Sequence, residues 1–203
     1  MGPRRYLLPA ILVLLATTIR LIPYVLNAAG LVDISDPAGM PWNISPIGAL
    51  CLFGGAQITD RRLAFAVPLL SLILSDIGIG LLMGDITFGL HPMIPVVYGC
   101  FGLMVLLGTW LRKSQSGLAT RILSICGAAV AGEVVFFVLT NFANWIEYYP
   151  HTMDGLITCY NLAIPFFKKS LAGMFVYGTA LFAGYAWLTA HAASKAPVAL
   201  DGR

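Results

Sequence analysis

Residues 122–145 read ILSICGAAVAGEVVFFVLTNFANW, an apolar run long enough to cross a bilayer that nevertheless carries one acid and two amides. Wound as a helix, Glu133, Phe137, Thr140, Asn141 and Asn144 fall at i, i+4, i+7, i+8 and i+11, which places them on one stripe. The opposite face is Val134, Val135, Val138, Leu139 and Phe142, side chains that lipid accepts. Hydrocarbon offers unpaired polar groups no partner, so the stripe must face protein or a water-filled cavity. Beyond it stand Trp145, Glu147, Tyr148, Tyr149, Pro150, His151 and Asp154, an aromatic and ionisable cluster suited to a membrane interface. The pattern describes the wall and rim of a site.

Composition fixes the class of molecule around that stripe. Of 203 residues 59% are hydrophobic and 10% charged, against about 25% charged in soluble domains. Mean hydropathy is +0.85. The expectation is an all-α integral membrane protein, a single transmembrane domain over 1–203. The net charge of +3 comes from Lys and Arg flanking apolar runs, so no basic surface for nucleic acid is expected. Cys51, Cys100, Cys126 and Cys159 form no C-x-x-C pair and read as small buried hydrophobes, with Cys159 closest to the polar rim. No metal and no cofactor is expected.

The remaining runs set the topology. Arg4 and Arg5 precede an apolar run over 6–19 without a small-x-small cleavage site after it, which favours an uncleaved first helix over a signal peptide. Pro23 should end or kink it. Arg20 either snorkels to the headgroups or enters a buried ion pair. A polar loop follows over 27–42. Ser45 can cap a helix that begins at Pro46; over 46–58 it is only about 20 Å long, short for a hydrocarbon core of about 30 Å. Either this segment crosses or it re-enters. Crossing is favoured, because it puts Arg61, Arg62, Arg112, Lys113 and Arg121 on the side of Arg4 and Arg5.

Spans over 63–83, 92–111, 122–145 and 170–190 complete a bundle of about six transmembrane helices with both termini cytoplasmic. One outer interfacial helix is expected over 152–167, with Asp154, Thr158 and Asn161 on its polar face and Pro165 interrupting it, followed by Lys168 and Lys169 on the outer side. The tail over 192–203 is polar. An isolated carboxylate at a helix centre costs about 2.5–3.5 kcal/mol, so Asp76 needs a partner. Arg20 and Asp76 lie roughly 10 Å inside the same ends of their spans, which makes them a pair by depth, serving as a structural bridge or as a ligand-binding charge.

Four strings stand in order: N-x-S-P-I-G-A-L-x-L-F-G-G-A from Asn43, P-L-L-S-L-I-L-S-D from Pro68, F-F-V-L-T-N-F-A-N-W from Phe136 and Y-Y-P-H-T-M-D-G-L-I-T-C-Y-N-L-A-I-P-F-F from Tyr148. Together they resemble an uncharacterised family of bacterial multi-span membrane proteins. In size, span number and inside termini the chain is also similar to the S components of energy-coupling-factor vitamin transporters. That resemblance implies an outward-open pocket for a vitamin or metal ion; the first helix departs from it in lacking the A-x-x-x-A docking pattern.

Three readings follow for a protein of the bacterial inner membrane in contact with the lipid bilayer. The first is a small-molecule uptake or substrate-binding component whose pocket is formed by Asp76, Glu133, Asn141, Asn144, Trp145, Tyr148, His151 and Asn161. The second is a structural or assembly subunit whose stripe binds a membrane protein partner. The third is a membrane-embedded enzyme, for which no H-E-x-x-H, G-x-S-x-G or P-loop string is present.

Overall fold

The sequence IGALCLFGGA has no polar side chain from which a helix could present a wet face, so a helix made from it must be enclosed by protein or lipid. In the computed structural model, which describes residues 4–34, 44–113 and 117–194, this segment is the centre of the fold. Around it the elements run α1 (Arg4–Ala28), α2 (Ile47–Gln57), α3 (Arg61–Met83), a 3-10 turn (Ile86–Phe88), α4 (Ile94–Lys113), α5 (Leu118–Tyr148) and α6 (Met153–Ser194), with no strand among the described residues. Every α2 residue from Ile47 to Ala56 is buried, and the helix packs against α3, α4, α5 and α6.

Close packing of α2 on α4 depends on two glycines that face each other. A side chain at Gly55 would collide with the backbone of Val105 and Gly108, and one at Gly108 with the backbone of Leu52 and Gly55. Neither collision can be relieved by a rotamer change, so small residues are required here, as in other closely packed membrane helices.

Five helices, α1 and α3–α6, are long and apolar enough to cross a membrane. Their outward faces carry Leu14, Leu70, Leu81, Leu103, Trp110, Leu123, Val134 and Val176, all exposed, a surface that suits contact with lipid. At 11 residues α2 is the exception, about 16 Å long. Its Gln57 end is tied to α3 through Asp60, whose side chain caps the new helix by accepting from Arg62 N at 2.9 Å and Leu63 N at 3.4 Å. Its other end begins after Ser45, which accepts from Ile47 N at 3.3 Å, with Pro46 in the capping position rather than inside the helix.

Several sequence expectations change. α1 passes through Pro23 without ending and continues to Ala28. The separate outer helix over 152–167 and the span over 170–190 are one helix, Met153–Ser194, about 63 Å long. Pro165, Lys168 and Lys169 lie inside it. Lateral contacts hold its first half along α5, so the missing proline donor does not break it: Tyr160 Oη donates to Val138 O at 2.7 Å, and the Phe137 and Phe167 rings meet at 4.9 Å. Residues 35–42 of the loop expected over 27–42, and residues 195–203 of the tail expected over 192–203, lie outside the described residues.

Candidate functional site

Because α2 is short, it fills only one part of the bundle centre. It runs beside the second half of α4, and its first turn stops at the level of Glu133: a side-chain carbon at Gly48 would sit 3.0 Å from Glu133 Oε1 and 3.1 Å from Met174 Cε. Past that point lie the ends of α1, α3 and α5 at Ala28, Met83 and Tyr148 and the start of α6 at Met153. A cavity of about 370 Å³ lies there.

Its floor is Ser45, Glu133 and Ser170; its walls include Arg20, Tyr24, His91, Thr140 and Asn141 among Phe101, Phe136, Phe137, Phe166 and Phe167. The volume falls in the range of small-molecule sites, which are mostly apolar with a few convergent polar groups. The aromatic walls are braced: Phe101 meets Phe136 at 5.0 Å, and Phe137 meets Tyr160 edge-on at 5.6 Å.

Glu133 is 3% exposed and the most deeply buried of the polar groups that line the cavity. Ser170 Oγ donates to its Oε2 at 2.6 Å, a bond between α6 and α5. Oε1 faces the first turn of α2 at Gly48. That end of a helix carries free N–H groups and partial positive charge, which favours an acidic group beside it.

Arg20 reaches the cavity wall from α1. Its Nη1 lies 2.5 Å from both Asp76 Oδ1 and Ser75 Oγ on α3. Asp76 Oδ2 accepts from Tyr98 Oη on α4 at 2.7 Å. The structure thus brings Arg20 and Asp76 together, with the carboxylate behind the guanidinium rather than in the cavity lining. Ser71 and Ser75 bond back to their own helix, Ser71 Oγ to Val67 O and Ser75 Oγ to Ser71 O. Their aligned hydroxyls give α3 a polar seam against α1.

Of the eight ligand-site residues read from the sequence, Glu133 and Asn141 share this cavity. Asn141 Nδ2 donates to Phe137 O at 2.7 Å, and Thr140 Oγ1 to Phe136 O at 2.7 Å. Asn144 points instead into the α5–α6 contact, donating to Cys159 Sγ at 3.8 Å, while Cys159 Sγ donates to Asn141 O at 3.4 Å. Trp145 and His151 build the hairpin turn: Trp145 Nε1 donates to Pro150 O at 2.9 Å, and His151 Nε2 is 2.8 Å from Ile146 O. Tyr148 and Asn161 are exposed. The rim cluster and the cavity are therefore separate places.

Tyr24, Ser45, His91 and Ser170 also line the cavity and are not among the eight residues expected at the site. Ser45 had a signal, as the cap of a helix too short to cross. Ser170 had none, because its role depends on how α6 lies along α5. Among the described residues no group of three His, Cys, Asp or Glu side chains could hold a metal ion.

The chain belongs to a family of unknown function, DUF6580, whose profile matches residues 2–197. No curated protein and no solved structure matches it. The match covers the helices that build the cavity, so the cavity lies within the family's shared region.

Proposed function

We propose that the protein binds a small organic solute in the Glu133 cavity and serves as a substrate-binding or uptake component of the bacterial inner membrane. The observation that carries this reading is the placement of the cavity: Ser45, just before α2, and Glu133, beside its first turn, line it, and polar groups from α1, α5 and α6 converge on it. Glu133 would accept hydrogen bonds from the solute and Arg20 would donate them. Asn141 would fix orientation, and the phenylalanines would cover an apolar or aromatic body. A vitamin-like molecule has this mixture of a flat body and a few polar groups.

The positive-inside rule gives the direction. Arg61, Arg62, Arg112 and Arg121 mark the opposite end from the cavity, so that end faces the cytoplasm and the cavity faces outward. Both termini are then cytoplasmic. The alternative role, an assembly subunit whose polar stripe joins a partner helix, has less support, because Asn144 and Cys159 already spend their polar groups inside the α5–α6 hairpin.

Mass spectrometry of small molecules released from the purified protein tests the reading. A molecule retained by the wild type and lost from Asn141→Leu supports it. A stoichiometric protein partner without any released molecule would replace it with the assembly role.

A further inference from the structure

A second cleft, of about 540 Å³, occupies the other half of the α5–α6 interface. Along α5 it runs from Leu118 to Ala129, about 17 Å at 1.5 Å per residue, which is the depth of one leaflet of a core of about 30 Å. It stops at Ala129 and Met174, one helical turn before Glu133 and Ser170. It is thus distinct from the cavity above it.

Its lining is mainly apolar, with Gln57, Thr179, Tyr185 and Thr189 as its uncharged polar members, and Ile122 on its rim is 51% exposed. Among the described residues Arg121 is the one charged group in the lining, and it lies at the mouth. A small crevice beside the cleft brings Arg112 and Ser124 next to Arg121. Arg112 is held by its Nη1, which donates to Ile58 O at 2.9 Å. The Arg121 side chain makes no hydrogen bond or ion pair among the described residues. Two guanidinium groups from different helices, one with all its donors available, make a receptor for an anion with several oxygens.

An apolar slot one leaflet deep, with guanidinium groups at its membrane-surface end, complements an amphiphile with an acyl chain and an anionic head. We propose that this cleft holds one acyl chain of an anionic phospholipid, with the phosphate between Arg121 and Arg112. The lipid would wedge α5 and α6 apart at one end, while Ser170 and Glu133 join them at the other.

Native mass spectrometry of the full chain tests this, with the protein exchanged into mild detergent and titrated with equal parts of phosphatidylglycerol and phosphatidylethanolamine. The wild type should retain one phosphatidylglycerol in preference to phosphatidylethanolamine. Arg121→Gln, an exposed change that leaves the core intact, should weaken phosphatidylglycerol retention about tenfold, as expected for loss of a charge-assisted contact. Gly178→Leu fills the cleft from a position where an added side-chain carbon meets nothing within 4 Å, and it should lose the lipid with both arginines in place. Unchanged retention in either variant overturns the proposal: in Arg121→Gln it would remove the headgroup from the arginines, and in Gly178→Leu it would remove the chain from the cleft. A lipid-free dimer of the wild type would also overturn it, by assigning the cleft to a second copy of the chain.

Discussion

Glu133 on α5 and Ser170 on α6 are joined by a hydrogen bond of 2.6 Å at the level where α2 begins. The bond does two things at once. It satisfies one oxygen of a carboxyl group that is almost entirely enclosed, and it fixes the separation of the two longest helices at the cavity floor. Ser170→Ala would leave that oxygen without its partner, a loss of roughly 1–3 kcal/mol for a buried polar group. Glu133→Gln keeps shape and an acceptor, so its effect on thermal stability in detergent should be the smaller of the two. Its effect on the affinity or pH profile of solute binding should be the larger. Equal stability losses with unchanged binding in both variants would make Glu133 a packing element and nothing more.

Gly48 gives a separate test of the cavity floor. A methyl group there would lie 3.0 Å from Glu133 Oε1 and 3.1 Å from Met174 Cε; both are side-chain atoms that can give way by a few tenths of an ångström. Gly48→Ala should therefore fold, cost no more than about 1 kcal/mol, and shift solute affinity by displacing the carboxylate. Gly55→Ala meets backbone instead of side chains and should lose roughly 1–3 kcal/mol or fail to assemble. Thermal melts of the two variants side by side would show whether the difference in rigidity of their surroundings decides the outcome.

The ion pair between α1 and α3 predicts non-additivity. Breaking a fully buried pair by removing one partner costs roughly 3–5 kcal/mol, and less here because the Arg20 side chain is 23% exposed while that of Asp76 is 6% exposed. Asp76→Ala should be the more damaging single change, since it strands two groups at once, the Arg20 guanidinium and Tyr98 Oη. The double variant should lose less than the sum of the singles. Strictly additive losses in a thermal denaturation cycle would show that Arg20 is stabilised by solvent rather than by Asp76.

How much of this was legible in the residues depends on whether the signal was local. Burial of α2 follows from ten consecutive residues with no wet face, and the meeting of Arg20 with Asp76 follows from equal depth on two apolar spans. Continuity of α6 does not follow, because Pro165 and the Lys168–Lys169 pair are each a local sign of interruption. What overrides them is lateral: Tyr160 on Val138, Cys159 on Asn141, Phe167 on Phe137. Those contacts exist only once α6 lies along α5. For the same reason the helical stripe gave Asn141 and Asn144 one role, whereas packing divides them: a spacing of three residues turns a side chain far enough to leave the cavity and enter the hairpin contact.

Orientation in the membrane can be read with single cysteines in a background lacking Cys51, Cys100, Cys126 and Cys159. Glu147→Cys stands on the exposed last turn of α5 and should react with an impermeant thiol reagent on intact cells. Gly117→Cys, at the start of the same helix, should react only after the membrane is opened. Labelling of Gly117→Cys in intact cells would invert the bundle, place the arginine end outside and turn the Glu133 cavity toward the cytoplasm.

The two asparagines separate a binding role from a packing role within one turn of α5. Asn141 lines the cavity, and its Nδ2 bond to Phe137 O leaves Oδ1 able to accept from a solute. Leucine at that position removes the acceptor and adds apolar bulk while breaking one bond within its own helix, so stability should fall by no more than about 1 kcal/mol. Solute binding should be lost. Asn144 makes its contact with Cys159 across the hairpin, and in membranes such interhelical bonds average roughly 0.6 kcal/mol. Asn144→Leu should therefore lower the melting temperature slightly and leave binding intact. If instead Asn144→Leu abolishes binding and Asn141→Leu does not, the solute sits at the hairpin tip among Trp145, Tyr148 and His151, and the cavity over α2 is a packing defect rather than a site.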